Sequence, residues 1–235
     1  MFRLLQRMDD AEPRHVEGGE NVPAKRPELR PLTVLADANE SELEALEDWA
    51  RGLDWVQWLL SGVRQRMAHL HYVPDRSRTI LVLRAGWEKF GSGLLEQTLV
   101  PHFHTCWQAA QKSDLTALME AEEAFSKGLT AEQCAASVEA GRLLLKATNR
   151  ARYQGLLGRM RTACDSGVTP GHFLTLWPVV AQFFQLSVTS TIAEYLRLEW
   201  GIATRHLPET PPMKDLAELT GRVMQRHVTE LRVVE

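Results

Sequence analysis

The chain has 235 residues, with 27 Lys and Arg against 30 Asp and Glu and a formal net charge of −3. With 44% apolar and 24% charged residues it has the make-up of a folded globular protein, which excludes collagen-like, low-complexity and wholly disordered classes. A pI near 6.3 gives no general electrostatic footprint for nucleic acid or an anionic membrane. A monomer of this size buries roughly 70% of its open-chain surface, enough for a core without covalent staples. Cys106, Cys134 and Cys164 are too sparse for a disulfide framework and suit a reducing compartment. No apolar run reaches the roughly 18 residues of a membrane span. MFRLLQRMDDAEP lacks the apolar stretch and cleavage site of a secretion signal, so a cytoplasmic location is expected.

Residues 1–38, rich in Glu, Arg and Pro, read as a flexible, largely disordered arm. From residue 39 to 235 a single all-α domain is expected. Ser41-x-x-Glu44 is a capping box, and Leu43, Leu46, Trp49, Leu53, Val56, Leu60, Val63 and Met67 recur at helical spacing up to about Val73–Pro74. TILVLR at 79–84 is the sole strand-like stretch; with no partner strand it reads as a core helix or buried connector. Gly91 and Gly93 are expected to break the next segment, and Pro101 to mark a kink or boundary. Asp114 caps a helix carrying Leu115, Leu118, Met119 and Phe125, which Gly128 ends. Thr130-x-x-Gln133 opens a long helix through Val138, Leu144 and Leu145. Asp165–Ser166–Gly167 reads as a turn. Thr169–Pro170 is expected to start a helix apolar nearly all round, GHFLTLWPVVAQFFQL, kinked at Pro178. Ser187 or Thr189 caps a helix with Ile192, Tyr195, Leu196 and Trp200. PETPP at 208–212 is a stiff linker, and a last helix runs from Met213 to Leu231. The pattern is a helical bundle of about seven to eight helices joined by short loops.

Few constellations suggest chemistry. His102 and Cys106 in PHFHTC are four apart and share a helix face, a spacing that holds a transition metal if another element adds a third ligand. The plainer reading is a partly buried helix face. HLH at 69–71 is weaker still. Glu120, Glu122 and Glu123 cluster, but the lone Glu-x-x-His pair, Glu12 and His15, contains Pro13 and excludes a di-iron bundle. Nucleotide-loop, nucleophile-elbow and zinc-protease motifs are absent, so neither catalytic nor cofactor-binding residues are assigned and no cofactor is expected. Arg142, Lys146 and Arg150 share a face that Arg152, Arg159 and Arg161 extend. This is a phosphate-binding patch or, more simply, a solvated helix face. Trp177, Phe183, Phe184, Tyr195 and Trp200 read as core.

Several stretches, in order, resemble the UreF-type urease accessory proteins: LLEQTLVPHFHTCWQAAQKSDLTAL, LTAEQCAASVEAGRLLLKA and VTPGHFLTLWPVVAQFFQLSVTSTIAEYLRLEW. The family's "ala-x-x-gly-asp-leu-x-ala-leu" turn corresponds to Ala109–Leu118, with Lys112–Ser113–Asp114 at its centre. "Gly-arg-x-leu-leu" corresponds to Gly141, Arg142, Leu144 and Leu145; "pro-gly-his" to Pro170, Gly171 and His172; and "ala-tyr-leu" to Ala193–Leu196 with Glu194 inserted. The resemblance covers about residues 94–205.

That resemblance implies an all-α, homodimeric helper without turnover of its own. It would bind a GTPase and a scaffold accessory protein and support nickel insertion into the urease apoprotein, with neither nucleic acid nor membrane as partner. Arg142, Gly171, His172 and Tyr195 are then the candidate partner-binding residues. The family's N-terminal "leu-gln-x-x-asp-ser-ala-x-pro-thr-gly-gly" motif is missing, and residues 61–90 are atypical. One choice of codons for Gly62–His69, GGT GTG CGA CAG CGC ATG GCC CAC, encodes Val-Cys-Asp-Ser-Ala-Trp-Pro when read one base later, close to the missing motif. Residues 61–90 are therefore expected to pack less well than in a family member. The rival readings are a small all-α metal- or haem-dependent enzyme using His102, Cys106 or His172, and an unrelated helical adaptor.

Overall fold

A computed structural model describes residues 54–74, 79–148, 155–207 and 218. The expected arm at 1–38, the Ser41–Glu44 capping box, the linker at 208–212 and, apart from residue 218, the helix at 213–231 lie outside these residues, as do Arg150 and Arg152. Among the described residues every regular element is helical and no strand occurs, as the periodicity implies. The helices are α1 (54–66), α2 (Ile80–Phe90), α3 (Val100–Gln111), α4 (Leu115–Lys127), α5 (Ala131–Ala147), α6 (Leu156–Asp165), α7 (Phe173–Phe183) and α8 (Val188–Ala203), with a π-helical stretch, Gly91–Leu99, joining α2 to α3.

Local chemistry sets most of the boundaries. TILVLR is the start of α2: Thr79 is its N-cap, and burial falls on Leu83, Trp87 and Phe90 at helical steps. Leu81, which a strand pattern would pair with Leu83, is 73% exposed. Gly93 is non-helical (φ −101°, ψ −105°) and kinks the chain between two helical runs, the break expected there, whereas Gly91 is helical (φ −60°, ψ −51°). Pro101 lies in the first turn of α3, where the helical path entering through Leu99 and Val100 runs on past it. Asp114 Oδ1 accepts the Ala117 N–H at 3.0 Å. In the Thr130–Gln133 capping box both reciprocal bonds form, at 3.0 and 3.2 Å. Ser187 caps α8, accepting the Ser190 N–H at 3.1 Å.

Helix α7 is the centre of the core. All nine residues from Phe173 to Ala181 are buried, and each large apolar side chain among them contributes about 2 kcal/mol. It packs mainly against α3 and α5, with α6, α4 and α8 completing the enclosure. The indole of Trp177 donates to the Thr191 carbonyl at 2.9 Å, tying α7 to α8. Pro178 lies within this helix.

The start of α7 differs from the sequence expectation. Thr169 is not its cap and Pro170 is not its first residue: the N-cap is His172 (φ −60°, ψ 142°). The reason is Gly171, whose φ of +78° no helix accommodates. Its carbonyl oxygen lies against Gly141, where a Cβ on Gly141 would overlap it, and a Cβ on Gly171 would come 2.8 Å from Cys164 Sγ. The two glycines thus allow α5 and the start of α7 to touch main chain to main chain.

Residues 61–90 contribute Val63, Met67, Leu70, His71, Tyr72, Leu83, Trp87 and Phe90 to the buried interior. Tyr72, Trp87 and Phe90 form an aromatic group with centroid separations of 5.3–5.5 Å, and Trp87 meets Trp200 of α8 at 5.0 Å. At the α8 end, the Arg205 guanidinium donates to the carbonyls of Arg64, Gln65 and Met67 at 2.7–3.1 Å, satisfying carbonyls at the end of α1.

Two substitutions test these joints by urea denaturation. Gly141→Ala forces a Cβ into main-chain atoms that no rotamer change relieves, and is expected to cost about 1–3 kcal/mol. Ser113 holds φ 54°, a left-handed conformation that disfavours a Cβ, so Ser113→Gly is expected to stabilise by about 0.5–1 kcal/mol. An unchanged midpoint for Gly141→Ala would contradict the close approach, and a loss for Ser113→Gly would contradict the strain.

Candidate functional site

The polar interior is arranged around one ring, Phe125 of α4. His102 of α3 stacks on it at 3.9 Å with an interplanar angle of 5°. His172 meets it edge-on at 5.4 Å and 86°, and His71, from the connection after α1, at 5.9 Å and 72°. All three imidazoles are buried. His102 Nε2 lies 3.1 Å from Thr175 Oγ1 on α7 and 3.4 Å from Cys106 Sγ.

Burial dominates the electrostatics. It pushes His102 down to about 3, helped by the neighbouring His172 and His71, and His172 down to about 4, helped by His71. It raises the Cys106 thiol far above its ordinary range and Cys164 up to about 12. His102 and His172 are therefore neutral and the Cys106 and Cys164 thiols protonated at physiological pH, without the free thiolate that nucleophilic chemistry requires. His102 and Cys106 do meet on one face of α3. Among the described residues, however, no group of three or more His, Cys, Asp or Glu is placed to hold a metal ion.

Two carboxylates complete the interior. Glu122 of α4, fully buried, accepts the backbone N–H of His172, acting as a cap for α7 from another helix. Ser126, one turn later, donates to the Glu122 carbonyl at 3.0 Å and lies 2.9 Å from His172 Nε2. Glu199 of α8 accepts the Tyr195 hydroxyl at 2.8 Å, the His71 N–H at 2.9 Å and the Tyr72 N–H at 3.4 Å. His71 Nδ1 lies 2.9 Å from the Tyr195 hydroxyl and Nε2 lies 3.0 Å from Ser137 Oγ. Ser137 also accepts the Phe173 N–H at 3.3 Å. Burial and the Glu199 charge hold the Tyr195 phenol well above its ordinary range. The network joins the segment after α1 to α4, α5, α7 and α8.

The residues expected at a partner surface separate. Arg142 is exposed, its side chain 72% accessible and 4.0 Å from Glu139. Gly171, His172 and Tyr195 are covered by the chain's own helices. His172 bonds within the core. Of the basic face, Lys146 is exposed, but Arg161 donates to the Leu145 carbonyl and Thr148 hydroxyl at 2.7 and 2.8 Å, capping α5. Arg159 donates to the Ser113 carbonyl at 2.8 Å. Its side chain also lines an open depression of about 580 Å³ between α4 and α6, with Leu115, Met119 and Thr162.

Sequence reading placed Glu122 in an acidic cluster and overlooked Ser137 and Glu199. A signal for both carboxylates was present. Glu122 stands in the stripe Leu118–Glu122–Phe125, and Glu199 in Ile192–Tyr195–Glu199–Ile202. A carboxylate in a core register marks a buried, bonded group.

The fold and this interior define an all-α domain built on a central apolar helix and a buried histidine–carboxylate network. Residues 91–198 match the model of the UreF family, so this part of the chain is similar to that family, in agreement with the ordered motifs. No curated protein and no solved structure matches the chain. In the described residues no helix is long and apolar enough to cross a membrane.

The buried imidazoles predict an acid limb in the stability profile. Both folded values, about 3 for His102 and about 4 for His172, lie below the ordinary 6.5. The folded state excludes protons that the unfolded chain binds, so stability is full above pH 6.5 and is lost as pH falls through this window. His102→Gln, which keeps a hydrogen-bonding side chain toward Thr175 without titrating, should make the fall in melting temperature shallower. An equally steep acid limb in this variant would remove His102 as a cause.

Proposed function

We propose that the chain is a non-enzymatic urease accessory protein. In this reading it assists nickel insertion in the cytoplasm as a homodimer, through contacts with a GTPase, a scaffold accessory protein and the urease apoprotein. The observation that carries the reading is the UreF match over residues 91–198. It is supported by where the shared motifs fall. Ser113 and Asp114 form the α3–α4 joint, and Gly141 and Gly171 form the α5–α7 joint. These are the positions that set the packing angle of helices whose outer faces remain available.

Of the partner-binding candidates, Arg142 is the side chain positioned for direct contact, with Lys146 one turn further along the same exposed face. Gly171, His172 and Tyr195 would act from beneath by fixing the helices that present that surface. A guanidinium at an interface is the type of side chain that carries binding energy. A metal- or haem-dependent enzyme has less support, because His102 and His172 have partners in Thr175 and Ser126.

The test is complementation. In a strain deleted for its UreF-type gene, the chain is expected to restore urease activity, most visibly at limiting nickel, and to co-purify with the accessory GTPase and scaffold. A second version, with the family-like N-terminal segment restored across residues 61–90, is run beside it. Rescue by the restored version alone would locate a defect in that segment. Failure of both, with no partner binding by either, would overturn the proposal.

A further inference from the structure

The connection between α1 and α2, residues 67–74, has no regular structure, yet Met67, Leu70, His71 and Tyr72 are buried. Main chain that leaves solvent without a helix or sheet must find its hydrogen bonds elsewhere. Here side chains supply them. The His71 N–H donates to Glu199 Oε1 at 2.9 Å, and the Tyr72 N–H to Glu199 Oε2 at 3.4 Å. The Gln133 amide of α5 donates to the His71 carbonyl at 3.1 Å, and the Arg205 guanidinium to the Met67 carbonyl at 2.7 Å. One carboxylate thus takes two successive main-chain N–H groups, one on each oxygen.

The neighbouring bonds show what that carboxylate must be. The Tyr195 hydroxyl donates to Oε1 at 2.8 Å. Burial and the Glu199 charge keep the phenol proton in place. The phenol oxygen and Oε1 are then both acceptors, and His71 Nδ1 lies 2.9 Å from the first and 3.2 Å from the second, so Nδ1 carries a proton. Each of these groups is a donor toward Glu199. Both oxygens therefore act as acceptors, an arrangement that a carboxylate offers and an amide does not.

We propose that residues 67–74 form a strap that opens as a unit, latched by the two oxygens of Glu199. Opening lifts the His71 ring from Ser137 and Tyr195 while the helices around α7 stay folded. The strap reaches α5 and α8 through bonds that each depend on a single side chain. Its ring contacts, His71 with Phe125 at 5.9 Å and with Tyr195 at 5.8 Å, tolerate small shifts. Ala68 and Val73, on either side of the buried residues, are exposed, so the strap has two solvent edges from which to lift. Gln133, Ser137 and Tyr195 belong to the stretch that matches the UreF family model, which begins at residue 91; the strap covers that stretch from outside it. Opening does not depend on the accessory reading. Its use, presenting the Tyr195 hydroxyl to a protein partner, rests on that reading.

Hydrogen exchange of the full chain, resolved to single amides, tests the latch without any partner. In the wild type at low urea, the His71 and Tyr72 amides should exchange through an opening with little urea dependence, and those of α7 through global unfolding. Glu199→Gln sets an amide NH2 against an N–H of the strap. Exchange at both strap amides should rise roughly ten- to hundredfold, the loss of a hydrogen bond to a charged group, with α7 unchanged. Tyr195→Phe keeps both main-chain bonds to Glu199 and leaves Oε1 to accept from His71 Nδ1, so its effect on the strap should be far smaller. Wild-type strap amides with the full urea dependence of α7 would overturn the proposal, and this measurement decides even where Glu199→Gln does not fold. So would an equal rise in strap and α7 exchange in Glu199→Gln, or release of the strap by Tyr195→Phe to the same extent. None of these failures bears on rescue of urease activity, which tests the accessory reading separately.

Discussion

The rest of the structure depends on a carbonyl oxygen occupying the space where residue 141 would otherwise place its Cβ. With glycine at 141, helix α5 admits the main chain of Gly171, and Gly171 in turn takes a positive φ that brings its carbonyl there. That conformation ends any helical path through Pro170 and delays the start of α7 until His172. The delay has a further effect. A helix beginning at His172 presents its first free N–H groups to the interior, where a side chain from another helix must meet them. Glu122 does so, and α4 is thereby held in the register that sets Phe125 among the three imidazoles.

This order of causes explains what the sequence revealed and what it concealed. Helix identities were legible because capping boxes, proline positions and apolar stripes are local, and Asp114, Thr130 and Ser187 cap as their residue types demand. The start of α7 was not. Thr169–Pro170 is a sound local start signal, and a tertiary constraint overrides it from residue 141, thirty positions away. The interior network was half legible. Glu122 and Glu199 stood in core registers, but their partners are a backbone N–H fifty residues on and another 128 residues back, pairings that no spacing rule supplies. Likewise, the expected partner surface mixed one exposed arginine with three buried residues. A motif shared with a family marks joints as readily as contacts.

The segment before α2 joins the family-like region through chemistry unlike that of the α5–α7 joint. Its hold on the rest includes His71 in the Glu199 network, the Arg205 guanidinium across the end of α1, and an aromatic group. Rings tolerate small shifts of one another where two glycine backbones do not, because stacked and edge-on arrangements have similar energies. A segment of atypical sequence is thus attached by contacts that adapt, while the region that matches the UreF family model is locked by contacts that do not.

The aromatic attachment has an optical consequence. The indoles of Trp87 and Trp200 lie 5.0 Å apart at 63°, a chiral pair close enough for their electronic transitions to couple. Coupled transitions give a bisignate circular-dichroism band in the far ultraviolet, superimposed on the signal from which helix content is read. The two contributions report different events: the helical background follows every helix, whereas the couplet exists only while α2 is seated on α8. Loss of the couplet with the background intact would thus reveal the first segment lifting from a domain that remains folded.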